Sequence, residues 1–186
     1  MRIISGTARG TKLYTLEGIR TRPTLDRVKE PLFSIIQNKI HGAIVLDLFA
    51  GSGALGIETL SRGANNCTFC DSTKDAIKIV QMNLEKTKLK SKSKVLEMDY
   101  SKCLKKSKEE NMKYDIVFID PPYDSNLIYL AVKEIMELEL LTKDGIIIAE
   151  TDNEKQIINE IGKLNVNIFD KRKYGRAILL FLSLNG

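Results

Sequence analysis

Short apolar runs alternate with amphipathic stretches along the chain from Ala43 onward, and this alternation restricts the fold more than any other feature. Continuous apolar runs are typical of strands that are buried on both faces. Strands that are separated by helices form a parallel sheet covered by helices on each side. The sequence therefore predicts an α/β fold. The predicted strands are Ile44–Phe49, Asn66–Cys70, Lys94–Met98, Tyr114–Ile119 and Gly145–Ala149, and the predicted helices are Ala54–Arg62, Lys74–Lys88, Ser101–Glu110 and Leu127–Leu141.

The beginning of the chain departs from this alternation. Two short stretches, Arg2–Ser5 and Lys12–Leu16, flank the glycine-containing turn Gly6–Gly10, and this arrangement predicts a β-hairpin. A helix is expected to follow as far as about Lys39. It either kinks at Pro31 or has that proline in the first turn of its regular part, because proline lacks the N–H that a helix interior needs.

The end of the chain predicts a further helix and a pair of strands. The helix lies near Glu154–Lys163, and the strands are Asn165–Lys171 and Arg176–Leu184. Their close connection at Tyr174-Gly175 predicts an antiparallel edge of the sheet. With 186 residues, the chain is long enough for one domain with a full core, and we expect a single domain over 1–186.

Charge and hydropathy exclude a membrane protein and permit a nucleic-acid partner. The formal net charge is +5, which is compatible with a polyanionic partner but does not require one. The longest apolar runs are too short to span a bilayer, and the first residues do not resemble a signal peptide. We therefore expect a cytoplasmic protein with no membrane partner.

The cysteines predict reduced thiols and no metal centre. Cys67 and Cys70 have C-x-x-C spacing, but they lie in a predicted strand, where an odd separation directs the two side chains to opposite faces. Cys103 and the single histidine, His41, do not complete a convincing set of zinc ligands.

A glycine-rich loop between the first strand and its helix predicts a nucleotide-like ligand. Gly51-x-Gly53-x-x-Gly56 matches the dinucleotide-binding fingerprint, and Asp71 ends the next strand about 20 residues on, as that fingerprint expects. The carboxylate of Asp71 can accept hydrogen bonds from both hydroxyls of a ribose. Taken alone, this match would suit a dehydrogenase equally well.

Asp47, just before the loop, favours S-adenosylmethionine over a dinucleotide. A pyrophosphate binds to helix N–H groups and gains nothing from a nearby acid. The sulfonium and ammonium groups of S-adenosylmethionine are cations, so a nearby carboxylate stabilises both. Asp99, after the third strand, can accept a hydrogen bond from an adenine amine. The structural alternatives are that Asp47 caps a turn and that Asp99 is a surface acid or a helix cap. The predicted cofactor contacts in these segments are Asp47, Phe49, Ala50, Gly51, Ser52, Gly53, Asp71, Ser72, Asp99 and Tyr100.

The most specific signal is Asp120-Pro121-Pro122-Tyr123, which follows the fourth predicted strand. The prolines fix φ and remove N–H donors, so a rigid turn presents carbonyl oxygens beside the carboxylate of Asp120. This cluster of acceptors can hold both protons of a planar NH₂ group, and Tyr123 offers a face for stacking an extruded base. The alternative is that Pro121 and Pro122 only end a strand.

Several segments together resemble a known family over nearly the whole chain. They are Asp47–Gly56, Leu60–Ala64 and Asp120–Tyr123, with Arg2–Gly6, Arg9-Gly10, Arg22-Pro23-Thr24, Asp26–Val28, Leu32-Phe33 and Asn83-Leu84. These segments are similar to those of the bacterial guanine-N2 methyltransferases of small-subunit (16S) ribosomal RNA. The sequence departs from the family pattern at three positions. Thr11 stands where the family more often has a basic residue, Pro31 where it has Ala or Ser, and Asp71 where it has Glu.

The resemblance implies a Rossmann-like class I methyltransferase sheet of seven strands, with an N-terminal hairpin over 1–20 and a catalytic core over 21–186. It implies S-adenosylmethionine as the cofactor, with Arg22 and Thr24 beside it, although Arg22 could equally bind a phosphate and Thr24 could be only a cap. It implies a guanine of 16S rRNA in the small subunit as the substrate. The candidate RNA-binding residues are Arg9, Arg20 and Arg27, and we expect a monomer.

Other interpretations stay open at this point. The acceptor cluster would also suit adenine N6 in DNA or RNA, or the amide of a protein glutamine. The glycine loop alone would suit a nicotinamide-dependent oxidoreductase, although Asp47 and the Asp120–Tyr123 segment argue against it. A non-catalytic RNA-binding module is the third alternative, but it would not explain the glycine loop or the Asp120–Tyr123 segment.

Overall fold

The computed structural model describes residues 1–16, 24–122 and 125–185, with side chains for all of these except residues 24–27 and 125. The helices are α1 Thr24–Ile35, α2 Gln37–Ile40, α3 Ala54–Ser61, α4 Lys74–Thr87, α5 Tyr100–Glu109, α6 Ser125–Glu137 and α7 Glu154–Ile161. The strands are β1 Ile44–Asp47, β2 Asn66–Asp71, β3 Ser93–Glu97, β4 Tyr114–Ile119, β5 Leu141–Thr151, β6 Val166–Tyr174 and β7 Ala177–Leu184.

Within the described residues, seven strands form a single sheet in the order β3-β2-β1-β4-β5-β7-β6. Strands β1 to β5 pair in parallel, and β7 is antiparallel to both of its neighbours. The Rossmann-like sheet and its antiparallel edge are therefore as predicted. The order reverses direction at β1 and β4, and ligands of such sheets bind beyond the carboxyl ends of the strands at this place.

Helices cover the sheet on both faces, as a parallel sheet requires. Apolar residues of α1 to α4 pack on one face, for example Val28, Leu60 and Val80. Residues of α5 to α7 pack on the other, for example Leu104 and Ile157. Among the described helices, none is both long and apolar enough to cross a membrane.

The cysteines of β2 confirm the predicted alternation. Cys67 belongs to the core on the α1–α4 face, whereas Cys70 belongs to the core on the opposite face. Both are buried and free. Their thiols therefore cannot act as a pair, which is the behaviour expected for positions three apart in a strand.

Residues 1–16 form a compact loop rather than the predicted pair of hairpin strands. The antiparallel ladder in this segment is the single bridge between Arg2 and Lys12. It is flanked by hydrogen bonds from the Ile3 N–H to the Thr11 carbonyl and from the Leu13 N–H to the Met1 carbonyl, both at 3.0 Å. The hairpin strands Arg2–Ser5 and Lys12–Leu16 are not confirmed, and the boundary at residue 20 lies outside the described residues.

Hydrogen bonds to α3 also hold the N-terminal loop. The N–H groups of Ile4 and Ser5 donate to the carboxylate of Glu58 at 2.9 and 3.0 Å. The N–H of Ala8 donates to Oγ of Ser61 at 2.9 Å, and that hydroxyl donates to the Ser5 carbonyl. Buried backbone groups need such partners, so α3 fixes the path of the loop.

Pro31 lies inside α1, seven residues after its first residue, so the regular helix does not begin near Glu30. The predicted long helix to Lys39 is instead divided into α1 and the short α2, with Ile36 between them.

Candidate active site

The glycine loop and the Asp120 turn lie side by side at the carboxyl edge of the sheet. The loop follows β1, the turn follows β4, and these two strands are direct neighbours with Asp47 paired to Phe118. Beyond the paired residues, the N–H of Leu48 still donates to the Phe118 carbonyl at 3.1 Å. The pairing thus brings together the two segments that the sequence identified separately.

The glycine loop has the open backbone that a ligand needs. Gly51 has a φ of +53°, a conformation that favours glycine, and no atom lies within 4 Å of the place where a Cβ would stand. At Gly56 a Cβ would lie 2.4 Å from the ring of Phe69, so this glycine lets α3 pack closely on β2. These are two of the roles that the fingerprint assigns to its glycines.

Asp71, a predicted cofactor contact, holds the glycine loop. The N–H of Gly51 donates to its Oδ2 at 2.9 Å. The N–H and the hydroxyl of Thr73 donate to its Oδ1 at 2.9 and 2.8 Å. Since a carboxylate has about four acceptor positions, a further contact to a ribose hydroxyl is compatible with these bonds. Ser72, the next predicted contact, is exposed.

Asp47 is buried at the end of β1, and its Oδ2 accepts the N–H of Gly56 at 3.0 Å. It therefore holds the first turn of α3, as the structural alternative supposed. The pKa of Asp47 is raised to about 7. Burial is the main cause and the charge of Asp71 adds to it, whereas the hydrogen bond from Gly56 lowers the pKa. A cationic ligand beside this carboxyl would favour its ionised form.

This raised pKa predicts a pH-dependent stability for the ligand-free protein. The folded protein retains the Asp47 proton up to about pH 7, whereas the unfolded chain releases it near the ordinary value of 3.8. The contribution of Asp47 to the free energy of unfolding should therefore fall as pH rises from about 4 to about 7, by up to about 4 kcal/mol, and then level off.

Urea titrations of wild type and Asp47→Asn between pH 4 and 8 test this expectation. The variant should gain stability relative to wild type as pH rises to about 7, because an amide does not ionise. Asp75→Asn, which changes an exposed aspartate at the start of α4, should keep the wild-type profile. A difference between Asp47→Asn and wild type that stays constant over this range would contradict the buried ionisation.

Asp99 and Tyr100 follow β3, and Phe49 follows β1. Oδ1 of Asp99 accepts the N–H of Ser101 at 2.9 Å, so this residue caps α5, as one alternative supposed. The rings of Phe49 and Tyr100 lie 5.6 Å apart between their centroids, at the ends of β1 and β3. Burial raises the pKa of the Tyr100 hydroxyl, and Glu134 and Asp99 add to that rise. Two aromatic faces beside an acid provide a surface on which an adenine can stack.

Asp120 lies at the mouth of a cleft between α1 and the sheet. It is half-buried, Pro121 is buried and Pro122 is exposed, whereas Tyr123 lies outside the described residues. The cleft is narrow and mostly apolar, with a few charged groups. It is lined by Val28, Lys29, Leu32, Leu55, Phe118, Ile119, Asp120, Ile148, Glu150 and Leu179.

Several predicted residues have no described side chain. Arg20 and Arg22 lie outside the described residues, and the side chains of Thr24 and Arg27 are likewise not described. Arg9 is described and exposed, in the N-terminal loop that docks at the last turn of α3. Because the glycine loop lies at the other end of α3, Arg9 stands about one helix length, roughly 12 Å, from the cofactor segment.

Asn83 is a site residue to which the sequence assigned no role. Its side-chain NH₂ donates to the Ser52 carbonyl at 2.9 Å and to the Tyr14 carbonyl at 3.0 Å, and its Oδ1 accepts the Tyr14 N–H at 2.7 Å. It thereby ties the glycine loop to the N-terminal loop. The sequence offered one indication of this role, since Asn83 is a polar residue on the apolar face of α4, beside Val80 and Leu84.

The described donor set fits S-adenosylmethionine. A buried carboxyl suits a cation, an acid at the end of β2 suits a ribose, and the Phe49–Tyr100 pair suits an adenine. A metal centre has no comparable support, since no three His, Cys, Asp or Glu side chains converge among the described residues.

Comparisons with known proteins agree with this geometry. A family model described as "Conserved hypothetical protein 95" matches residues 1–183. The ribosomal RNA small subunit methyltransferase D of Haemophilus influenzae is 38% identical, with 85% of this chain and 82% of that protein covered. YlbH of Bacillus subtilis, named as a candidate rRNA methyltransferase, is 39% identical over 88% of this chain and 89% of its own.

A solved structure extends the similarity to the fold. The structure of a candidate methylase from Haemophilus influenzae has a TM-score of 0.79 and is 34% identical, with 99% of this chain and 98% of that chain covered. The match includes the N-terminal loop as well as the sheet, because it extends over almost the whole of both chains.

Proposed function

The chain belongs to the family of the ribosomal RNA small subunit methyltransferase D, and from this membership we propose that it methylates the exocyclic N2 amine of a specific guanine in 16S rRNA. The cofactor is S-adenosylmethionine, which supplies an electrophilic methyl group on a sulfonium. We further propose that the enzyme acts as a monomer on the small ribosomal subunit in the cytoplasm.

The position of the Asp120-Pro121 turn carries this proposal. The turn extends from β4 beside the glycine loop of β1, so an amine held by Asp120 lies next to the cofactor segment. A base inside a folded RNA cannot reach this edge, so the target nucleotide has to leave its stack and enter the cleft.

Within the cleft, Asp120 and Pro121 act on the amine by hydrogen bonding. The lone pair of a base amine is delocalised into the ring, which makes the nitrogen a poor nucleophile. Accepting one N–H at the carboxylate of Asp120 and the other at the Pro121 carbonyl draws the nitrogen towards a tetrahedral form. The lone pair is then directed out of the ring plane, and catalysis comes mainly from positioning and electrostatics. Transfer would exchange the sulfur–methyl bond for a nitrogen–methyl bond, leave the cofactor as a neutral thioether, and release one amine proton to solvent.

Transfer of labelled methyl from S-adenosylmethionine into small subunits of cells that lack this enzyme tests the proposal. Nucleoside analysis of the RNA should give N2-methylguanosine at one position. N6-methyladenosine as the product would contradict the guanine assignment, and binding of S-adenosylmethionine without any transfer to RNA would contradict the rRNA assignment.

Arg9→Ala tests the proposed RNA contact of the N-terminal loop. If this exposed guanidinium contacts a phosphate, its loss should weaken subunit binding and reduce the slope of log K against log salt by about one. Cofactor affinity should not change, since Arg9 lies at the far end of α3 from the glycine loop.

Lys133→Ala is the matched control for charge. It removes an exposed cation from α6, on the opposite face of the sheet. Binding of each protein to small subunits is measured across a salt series, and a slope for Arg9→Ala equal to that of wild type would remove Arg9 from the interface.

A further inference from the structure

Glu150, at the end of β5, lies next to Asp120 in the same cleft. Parallel pairing of β4 with β5 places Ile119 opposite Ala149, so the following residues of the two strands are Asp120 and Glu150. Neighbouring strands are about 4.8 Å apart. Both residues line the cleft, together with Val28 and Leu32 of α1.

The two carboxyl groups belong to the same face of the sheet. Phe118 and Ile148, which precede them by two residues on their strands, both belong to the core on the α1–α4 face. Side chains repeat their direction every second residue in a strand. Glu150 as a whole is only 9% exposed, and it lines the cleft.

Ionised carboxylates accept hydrogen bonds and donate none, so two of them side by side favour a ligand edge that carries donors. Guanine presents two kinds of donor side by side on its Watson–Crick edge, the N2 amine and the N1–H. Adenine instead places the acceptor N1 beside its N6 amine, and cytosine places the acceptor N3 beside its N4 amine. A second carboxylate beside Asp120 therefore suits guanine and opposes the lone pair of the other two bases.

We propose that Glu150 selects guanine by accepting its N1–H while Asp120 accepts from the N2 amine. This inference rests on the proposed function. A carboxylate accepts about four hydrogen bonds, so contacts of Glu150 within the chain are compatible with this role. Lys29 lines the same cleft, and its cationic charge lowers the cost of two neighbouring carboxylates.

The test compares guanine with 2-aminopurine at the target position that nucleoside analysis identifies. 2-Aminopurine keeps the amine at C2 but lacks the N1–H, so N1 becomes an acceptor. Small subunits are reassembled with either base, and single-turnover methyl transfer to each is measured. Wild type should methylate guanine at least about tenfold faster, on the scale of one lost base-edge hydrogen bond.

Glu150→Gln should reduce that preference to about threefold or less, because an amide can rotate to donate to N1 of 2-aminopurine. Asp152→Asn removes an exposed acid two residues further on and should keep the wild-type preference. Glu150→Asp retains the charge and should lower the rate on guanine while keeping the preference. Calorimetric titration should give unchanged cofactor affinity for all three variants.

The outcomes separate this inference from the proposed function. If wild type produces N2-methylguanosine and Glu150→Gln keeps the wild-type preference, the role of Glu150 is wrong and the proposed function stands. If wild type produces N6-methyladenosine, both are wrong. Should Glu150→Gln fail to fold, wild-type rates for Glu150→Asp on both bases would by themselves overturn the role of Glu150.

Discussion

Asp120→Ala should lower the single-turnover rate of methyl transfer by about 10²-fold or more while leaving cofactor affinity nearly unchanged. The reason is that, in the proposed mechanism, the amine is held by Asp120 in the turn after β4, whereas the cofactor is held by the loop after the neighbouring strand β1. Removing an oriented polar group at a reacting centre has this scale of effect. Measuring transfer of labelled methyl into small subunits separates this step from binding and product release.

The proposed acceptor role also predicts the order of two variants. Asp120→Asn should retain more activity than Asp120→Ala, since the amide oxygen still accepts a hydrogen bond from the amine. A residue needed as a strong base would lose nearly all activity in both. Asp144→Asn, an exposed acid near the opposite end of β5, should behave as wild type. Near-parental transfer by Asp120→Ala would contradict the assignment of this cleft as the catalytic site.

The parts of this site that the sequence predicted are those that depend on local chain properties. Each strand and helix from Ile44 onward is observed within a few residues of its expected bounds, because apolar runs and helical spacing are local signals. The glycine loop, Asp71 and Asp120 meet because they all follow strands of one parallel sheet. That edge could be inferred from the order of elements alone.

Contacts between distant segments could not be inferred in this way. Asn83 contacts Tyr14 across 69 residues, and Glu58 contacts Ile4 across 54. No pattern in the sequence pairs these positions. The N-terminal hairpin was predicted from its glycine turn, but its antiparallel pairing is limited to the bridge between Arg2 and Lys12. The N–H groups of Ile4 and Ser5 donate instead to a carboxylate on α3. The raised pKa of Asp47 results mainly from its burial. The sequence indicated only that Asp47 ends a strand, not that its carboxyl group is buried.

Glu58 is the centre of a buried ion cluster that holds α1 and the N-terminal loop on α3. Its carboxylate lies 3.0 Å from Nζ of Lys29, with both side chains fully buried, and 2.8 Å from Nε of Arg62. Burial alone would raise the pKa of Glu58, but Lys29, the Ile4 N–H and Arg62 outweigh it and hold that pKa below its usual value. The cluster therefore stabilises the fold above pH 4.5, and this contribution is lost as pH falls through the lowered pKa.

Glu58→Gln should lower the free energy of unfolding at pH 7 by about 3–5 kcal/mol, because the fully buried ammonium of Lys29 loses its ion pair with Glu58. Urea titration measures this change. Glu85→Gln, which alters an ion pair with Lys90 in which both side chains are more than half exposed, should change it by less than about 1 kcal/mol. Combining Glu58→Gln with Lys29→Met should cost less than the sum of the single changes, since the double variant contains neither buried charge. Additive costs would mean that Glu58 and Lys29 do not stabilise one another.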